Sequence, residues 1–153
     1  MFLPLVLAGL LLGQAATPAQ SAVAEGALIE SAKAGDLARV RELLSKGASV
    51  NTSDRRGLTP LMWASAGGSV EIVRHLLENG AAVDRRANDG TTALMLAAAN
   101  GFVDVARALL VRGTNVAAVR AGVTARQLAQ ERGHPEMVAL IEPARALSFA
   151  PVD

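Results

Sequence analysis

Cysteine is missing from all 153 residues of the chain. Its absence excludes disulfide bonds, thiolate metal sites, cysteine nucleophiles and a lipid-modified N-terminal cysteine. It does not fix the redox compartment. Aromatic residues are also scarce, at 3% of the sequence, with one tryptophan and no tyrosine. The apolar half of the chain is mostly alanine, leucine and valine, which favours thin, closely packed helices over a thick aromatic core.

An excess of charge of either sign is missing as well. Fifteen lysines and arginines face fourteen aspartates and glutamates, which leaves a formal net charge of +1. No global field therefore draws the protein to nucleic acid or to an anionic membrane. Because stacking aromatic side chains are also rare, the composition argues against a nucleic-acid partner.

The chain also lacks the short motifs of the common enzyme classes. There is no GxSxG turn, no GxxxxGK phosphate loop and no GxGxxG turn. The two histidines, His75 and His134, lie far apart in the sequence, and neither has the set of convergent partners that a metal site or a general base needs. Carboxylate pairs such as Glu71 with Asp104 fit repeated surface positions. The sequence therefore predicts a protein that is not an enzyme and has no cofactor, metal or small-molecule substrate.

A long apolar run occurs only at the N-terminus and covers residues 2–12. It is far shorter than the roughly twenty residues that cross a bilayer, and small residues follow it. This segment resembles a secretory signal peptide over residues 1–22, with cleavage within residues 19–24, although no lysine or arginine precedes the run. We therefore expect an exported, periplasmic or secreted protein. One alternative is an uncleaved anchor, which would make the protein a membrane-anchored structural or assembly factor. The other is an apolar helix that docks on the rest of the chain.

Residues 54–83 repeat further along the chain. A shift of 33 positions aligns Gly57, Thr59, Leu61, Ala64, Gly68, Val70, Leu76, Leu77 and Gly80 with Gly90, Thr92, Leu94, Ala97, Gly101, Val103, Leu109, Leu110 and Gly113. Such self-similarity at a fixed period is typical of stacked-repeat proteins, in which each unit needs a neighbour to bury its apolar face.

The same frame divides most of the chain into four units, followed by a tail. The units cover residues 25–53, 54–86, 87–119 and 120–142, and the tail covers residues 143–153. The first and last units depart furthest from the pattern, as expected of units that end an array. In the fourth unit, which matches the third at a shift of 32, Arg126 stands where Leu94 stood, and Glu142 replaces a leucine. Both changes indicate a polar outer face.

Each unit predicts a pair of antiparallel helices. In the second unit, Thr59 and Pro60 are suited to the start of a helix, and glycine at positions 67 and 68 ends it after about two turns. A second helix follows, with apolar residues at helical spacing on one side, and Gly80 ends it. Turn residues between the units predict projecting fingers.

The residues that carry the pattern also point to a family. They are Asn51, Asp54, Gly57, Thr59, Pro60, Leu61, Ala64, Gly68, Val73, Leu76, Leu77, Gly80 and Ala81. The chain resembles an ankyrin-repeat protein, in particular a small exported domain of the bacterial type. This resemblance implies an all-α solenoid of about four helix-turn-helix repeats with projecting β-turn or hairpin fingers. It also implies a monomeric protein-binding module whose partner lies along the concave face and the finger tips.

Positions that the pattern leaves free supply the candidate binding residues. On the first helices they are Lys33, Trp63, Leu96 and Asn100, and on the finger tips they are Arg55, Arg56, Arg85 and Arg86. Tryptophan and arginine are over-represented among residues that dominate interfaces. The alternatives are a tryptophan that packs as ordinary structure and arginines that form a solvated edge.

One departure from the resemblance concerns the turns. Many ankyrin repeats have a histidine after TPL that holds the turn, whereas this chain has Met62, Met95 and Gln127 at that position. The sequence therefore predicts less rigid turns, above all in the third unit.

Overall fold

The computed structural model describes the backbone of residues 17–146 and the side chains of residues 17–142. Within this part of the chain, helices form four consecutive pairs. The pairs are α1 (Pro18–Ala34) with α2 (Leu37–Ser45), α3 (Pro60–Ala66) with α4 (Val70–Glu78), α5 (Ala93–Asn100) with α6 (Val103–Val111), and α7 (Ala125–Glu131) with α8 (Pro135–Ala146). The predicted all-α solenoid of about four helix-turn-helix repeats is confirmed.

Threonine begins the first helix of each of the last three pairs. The Thr59 hydroxyl accepts a hydrogen bond from the Met62 amide at the start of α3, and Pro60 occupies the first turn. Thr92 and Thr124 cap α5 and α7 in the same way. These hydroxyls satisfy amides that have no partner inside the helix, so the helix start is fixed by the local sequence.

The core runs through the array as two rows of equivalent residues. Leu28, Leu61 and Leu94 form one row on the first helices, and all three are fully buried. The second helices supply the other row, which consists of Leu43, Leu76, Leu109 and Ile141. First helices pack against first helices of the next pair, and second against second. Each pair therefore buries its apolar side against its neighbours, as the sequence predicts.

Fingers project between the pairs. In the finger before α3, the Asp54 amide donates to the Leu58 carbonyl at 3.0 Å, and the Gly57 amide donates to the Asp54 carbonyl at 2.9 Å. The finger before α7 is a short antiparallel hairpin of β1 (Val119–Arg120) and β2 (Val123–Thr124). The predicted turn and hairpin fingers are therefore present.

Helix α1 begins earlier than the predicted repeat boundary at residue 25. Thr17 and Gln20 form a reciprocal capping box at its start, and Pro18 occupies the first turn. These residues look like small and polar linker residues in the sequence, yet their order is that of a helix start. The predicted cleavage interval, residues 19–24, lies in the first turns of α1. Residues 1–16 of the predicted signal peptide lie outside the described residues.

Helix α8 ends later than the predicted boundary at Glu142. It continues through Pro143 to Ala146. A proline at this position removes one hydrogen bond to the preceding turn, and only the last turn of the helix depends on it. The rest of the predicted tail, residues 147–153, lies outside the described residues.

Candidate binding surface

Trp63 lies on α3 and is half-buried. Its indole Nε1 donates a hydrogen bond to Asp54 Oδ2 at 3.1 Å. The Lys33 ammonium of the preceding repeat lies 5.0 Å from the centre of the indole ring, which is within cation–π distance. Two of the predicted binding residues, Lys33 and Trp63, are therefore in contact, and the tryptophan has a defined orientation.

Asp54 holds the finger before α3 in shape. Its Oδ1 accepts hydrogen bonds from the Arg56 amide at 2.8 Å and the Leu58 amide at 2.9 Å. Met62, which stands in place of the histidine of many ankyrin repeats, is fully buried and packs in the core. In this repeat, the aspartate and the tryptophan supply the hydrogen bonds that tie the finger to the helix.

The finger-tip arginines divide into two groups. Arg55, Arg56 and Arg85 are exposed, and within residues 17–142 their guanidinium groups have no hydrogen-bond or ion-pair partner. Arg86 differs, because its guanidinium donates to the Val119 carbonyl of the next finger. Arg120 also contributes to the fold, since its Nε lies 3.5 Å from Asp89 Oδ2. Three arginines are therefore free for contact, whereas two link neighbouring fingers.

Asn88 and Asp89 organise the middle finger. The Asn88 amide donates to the Arg56 carbonyl at 3.0 Å, and its side chain donates to the Arg55 carbonyl at 3.0 Å. The carboxylate of Asp89 accepts from the Thr91 amide at 3.0 Å. The Thr91 hydroxyl and amide, with a smaller effect of the Arg120 charge, hold the pKa of Asp89 below its usual range. Adjacent fingers are thus joined directly. Asn88 occupies a finger tip in the repeat pattern, but its spacing in the sequence does not predict this role.

The remaining predicted residues are Leu96 and Asn100 on α5. Leu96 is half-buried and packs against the core. The Asn100 side chain donates to the Leu96 carbonyl at 2.9 Å and to the Ala66 carbonyl of the preceding repeat at 3.4 Å. Asn100 therefore ties α5 to the end of α3 and remains exposed.

In the part of the chain that the structure describes, neither histidine belongs to a candidate metal site. His75 lies on α4 with its Nδ1 3.9 Å from Glu78 Oε2. His134 packs its ring against Gly101, and its Nε2 lies 3.2 Å from the Ala99 carbonyl. Within the described residues, no group of three or more histidines, aspartates or glutamates could hold a metal ion. The contacts of His134 with Gly101 and with the Ala99 carbonyl instead connect the last two repeats.

The structure also has a cavity that lies away from this surface. A cavity of about 430 Å³ lies beside the last repeat and shares no residue with the predicted binding set. None of the helices in residues 17–146 has both the length and the apolar character needed to cross a membrane.

Stacked helix pairs whose fingers are joined by hydrogen bonds define a repeat solenoid. A family model described as ankyrin repeats, in sets of three copies, matches residues 7–87, 28–120 and 82–145. These overlapping matches cover most of the chain, so the chain belongs to the ankyrin-repeat family. No curated protein matches it. Ankyrin repeats are generally protein–protein interaction modules and generally not enzymes.

Proposed function

We propose that this protein is a non-catalytic module that binds a partner protein along the finger tips and the exposed side of the first helices. The observation that carries the proposal is the division among the finger arginines. Arg86 and Arg120 bond to neighbouring fingers, whereas Arg55, Arg56 and Arg85 have no such role within the described residues. Guanidinium groups bind carboxylates in bidentate fashion, so an acidic partner surface suits the three free arginines.

Trp63 and Lys33 extend this surface onto the first helices. The Asp54 carboxylate and the Lys33 ammonium hold the indole in one orientation. A side chain that is already ordered loses little conformational freedom when a partner covers it. Half-buried tryptophans with a fixed orientation are therefore suited to anchor an interface.

The test compares two sets of three arginines that carry the same charge. One variant changes Arg55, Arg56 and Arg85 to alanine. The matched control changes three exposed arginines to alanine, namely Arg74 and Arg107 on the second helices and Arg112 directly after α6. Each protein is used to capture partners from an extract of the native host, and captured proteins are quantified by mass spectrometry.

We expect the finger variant to lose captured protein and the second-helix variant to retain it. Equal capture by both folded variants would rule out the finger surface. Loss only in the second-helix variant would place the partner on the opposite side of the array.

A pair of substitutions at Trp63 separates binding from stability. Trp63→Phe keeps an aromatic ring beneath Lys33 but removes the hydrogen bond to Asp54, whereas Trp63→Ala removes both. We expect Trp63→Phe to lower the melting temperature and to keep most of the capture. Trp63→Ala should lose capture as well. If the captured amount follows the melting temperature in both variants, the role of Trp63 is structural only.

We also propose that the protein is exported and cleaved within residues 19–24. Most residues at positions 18–23 are exposed, and the first fully buried residue of α1 is Leu28. Removing the first turns of α1 would thus leave the core intact. The intact mass of the protein from its native host tests this proposal. A mass that includes Met1, or retention with membranes after a high-salt wash, would contradict it and favour the anchored alternative.

A further inference from the structure

Two of the five asparagines in the chain are followed directly by glycine, and both lie at the end of a helix. Asn79 caps the C-terminus of α4 and precedes Gly80, whereas Asn100 is the last residue of α5 and precedes Gly101. A glycine in this place lets its main-chain nitrogen approach the asparagine side chain closely, because it has no Cβ to block the way. The two pairs share this chemistry, so their surroundings decide which of them can react.

Contacts with both neighbouring repeats hold the pair at Asn100. The Asn100 Nδ2 donates to the Leu96 carbonyl at 2.9 Å and to the Ala66 carbonyl of the preceding repeat at 3.4 Å. The His134 ring of the following repeat covers Gly101 so closely that a Cβ built on this glycine would lie 2.7 Å from the ring Nδ1. The Gly101 nitrogen can therefore reach the Asn100 side chain only if contacts between repeats open.

The pair at Asn79 is held mainly by its own helix. Asn79 Nδ2 donates to the His75 carbonyl at 2.8 Å, and the Gly80 amide donates to the Leu77 carbonyl at 3.2 Å. Both residues are exposed, and among the described residues no atom lies within 4 Å of a Cβ built at Gly80. The Asn51 side chain of the preceding repeat bonds to the Gly80 carbonyl at 3.3 Å, which does not restrain the nitrogen directly. Fraying of the last turn of α4 is therefore enough to release this pair.

We propose that Asn79 is a site of spontaneous deamidation, whereas the neighbouring repeats protect Asn100. In this reaction the Gly80 nitrogen gives its proton to a base in the solvent and attacks Asn79 Cγ. The bond from Cγ to Nδ2 then breaks, and Nδ2 takes a proton from water and leaves as ammonia, so that a succinimide ring joins the two residues. Water opens the ring at either carbonyl and leaves aspartate or isoaspartate at position 79. No oxidant or reductant takes part.

Deamidation changes the junction between α4 and the preceding finger. Either product places a carboxylate at the C-terminal end of α4, where the helix dipole disfavours negative charge. Isoaspartate also lengthens the main chain, which then runs through the former side-chain carboxyl group. This displaces Gly80 and Ala82, which bond to the Asn51 side chain at 3.3 and 2.8 Å. We expect faster hydrogen exchange of the Ala82 amide in the deamidated fraction, and unchanged exchange would contradict this consequence.

The removal of the His134 ring tests the protection of Asn100. In His134→Ala, which leaves Gly101 uncovered, we expect Asn100 to deamidate several-fold faster and Asn79 to keep its rate. The matched control is His75→Ala, which removes the other histidine but keeps the main-chain carbonyl that Asn79 contacts, and it should leave the rate at Asn100 unchanged. An unchanged rate at Asn100 in His134→Ala, or an equal increase at both asparagines, would contradict protection by the neighbouring repeat.

The main test follows both asparagines in the full chain at mildly alkaline pH, once folded and once unfolded in urea. Peptide mass spectrometry measures the mass gain of deamidation at each position. We expect the ratio of the rate at Asn79 to the rate at Asn100 to be about tenfold higher in the folded protein than in urea, because opening Asn100 also breaks contacts between repeats. A ratio that is the same or lower in the folded protein would overturn the proposal. So would a folded protein that keeps Asn79 intact while the unfolded chain reacts.

Discussion

At the scale of single residues, Gly68 meets two requirements at once. Its φ of +73° lies in the left-handed region, and a Cβ at this position would lie 2.7 Å from the Phe102 ring of the next repeat. Gly101 has the same relation to the His134 ring. In these two cases the residue after the turn between the two helices of a repeat packs over the turn glycine of the preceding repeat. This contact joins the two repeats.

Gly68→Ala should destabilise the protein more than Gly113→Ala. Both glycines have a φ near +74°, so both variants incur the left-handed cost of roughly 1–2 kcal/mol. Among the described residues, no atom lies within 4 Å of a Cβ built at Gly113. At Gly68 the Phe102 ring must move, which adds about 1–3 kcal/mol. Urea unfolding measures the difference.

A third substitution tests whether the Phe102 ring is the reason that Gly68→Ala destabilises the protein more than Gly113→Ala. In a Phe102→Ala background, Gly68→Ala and Gly113→Ala should have similar costs, because the colliding ring is gone. A difference that persists in that background would mean that the ring contact is not its source.

The candidate residues were predictable from the sequence, but their contacts were not. The repeat frame identifies Trp63, Arg55 and Arg86 as free positions, because the pattern does not need them. It does not predict that Arg86 reaches the Val119 carbonyl or that Lys33 lies over Trp63. These contacts depend on side-chain rotamers and on the stacking of adjacent repeats, which the spacing of residues along one chain does not determine.

At the scale of elements, the fingers are stabilised partly by charge. The Thr91 hydroxyl and amide lower the pKa of Asp89, and Arg120 adds to the effect. A carboxylate with a lowered folded pKa stabilises the fold fully above its unfolded pKa, which is about 3.9, and the stabilisation is lost as the pH falls through the folded value. The middle finger should therefore be weakened by acid.

Asp89→Asn should destabilise the protein at pH 7 by roughly half a kcal/mol or less, because the side chain is 52% exposed. The difference in stability between the variant and the wild type should become smaller below about pH 4. Thermal unfolding at pH 7 and pH 3 measures both values, and Glu30→Gln is the control at an exposed helix position. A difference in stability that grows in acid would contradict the conclusion that ionised Asp89 stabilises the fold.

The second helices supply one of the two buried rows of the core. Leu76 of α4 is fully buried, so Leu76→Ala should lower the free energy of unfolding by roughly 2–5 kcal/mol. Val111→Ala on α6 should change it by about half a kcal/mol or less, because this valine is 84% exposed. Denaturant unfolding measures both. A cost well under 1 kcal/mol for Leu76→Ala would show that the repeat register is wrong.

Helix boundaries show which parts of an element the sequence predicts. The starts of α3 and α5 follow from Thr59 and Thr92, since a capping side chain acts within its own helix. The helix boundaries at the two ends of the array were harder to predict. The capping box at Thr17 lies within the segment interpreted as a signal peptide, and Pro143 begins the segment that has no repeat match. Helix α1 nevertheless begins at Pro18, and helix α8 continues past Pro143 to Ala146.

At the scale of the whole molecule, the array is a stack, and the main helix contacts of the described residues lie within a repeat or between adjacent repeats. Stability in such an array is approximately a sum over repeats and their interfaces. The fingers follow the same order along the chain, with direct hydrogen bonds between neighbours at Asn88 and Arg86. The finger tips therefore form one continuous edge, and the free arginines Arg55, Arg56 and Arg85 lie along it.

The most direct test of this account is hydrogen exchange of the protein with and without its captured partner. The account predicts that the partner slows exchange in the fingers at residues 54–58 and 85–91, and in α3, with little change in the second helices α4 and α6. Slower exchange confined to α4 and α6, with the fingers unchanged, would contradict it.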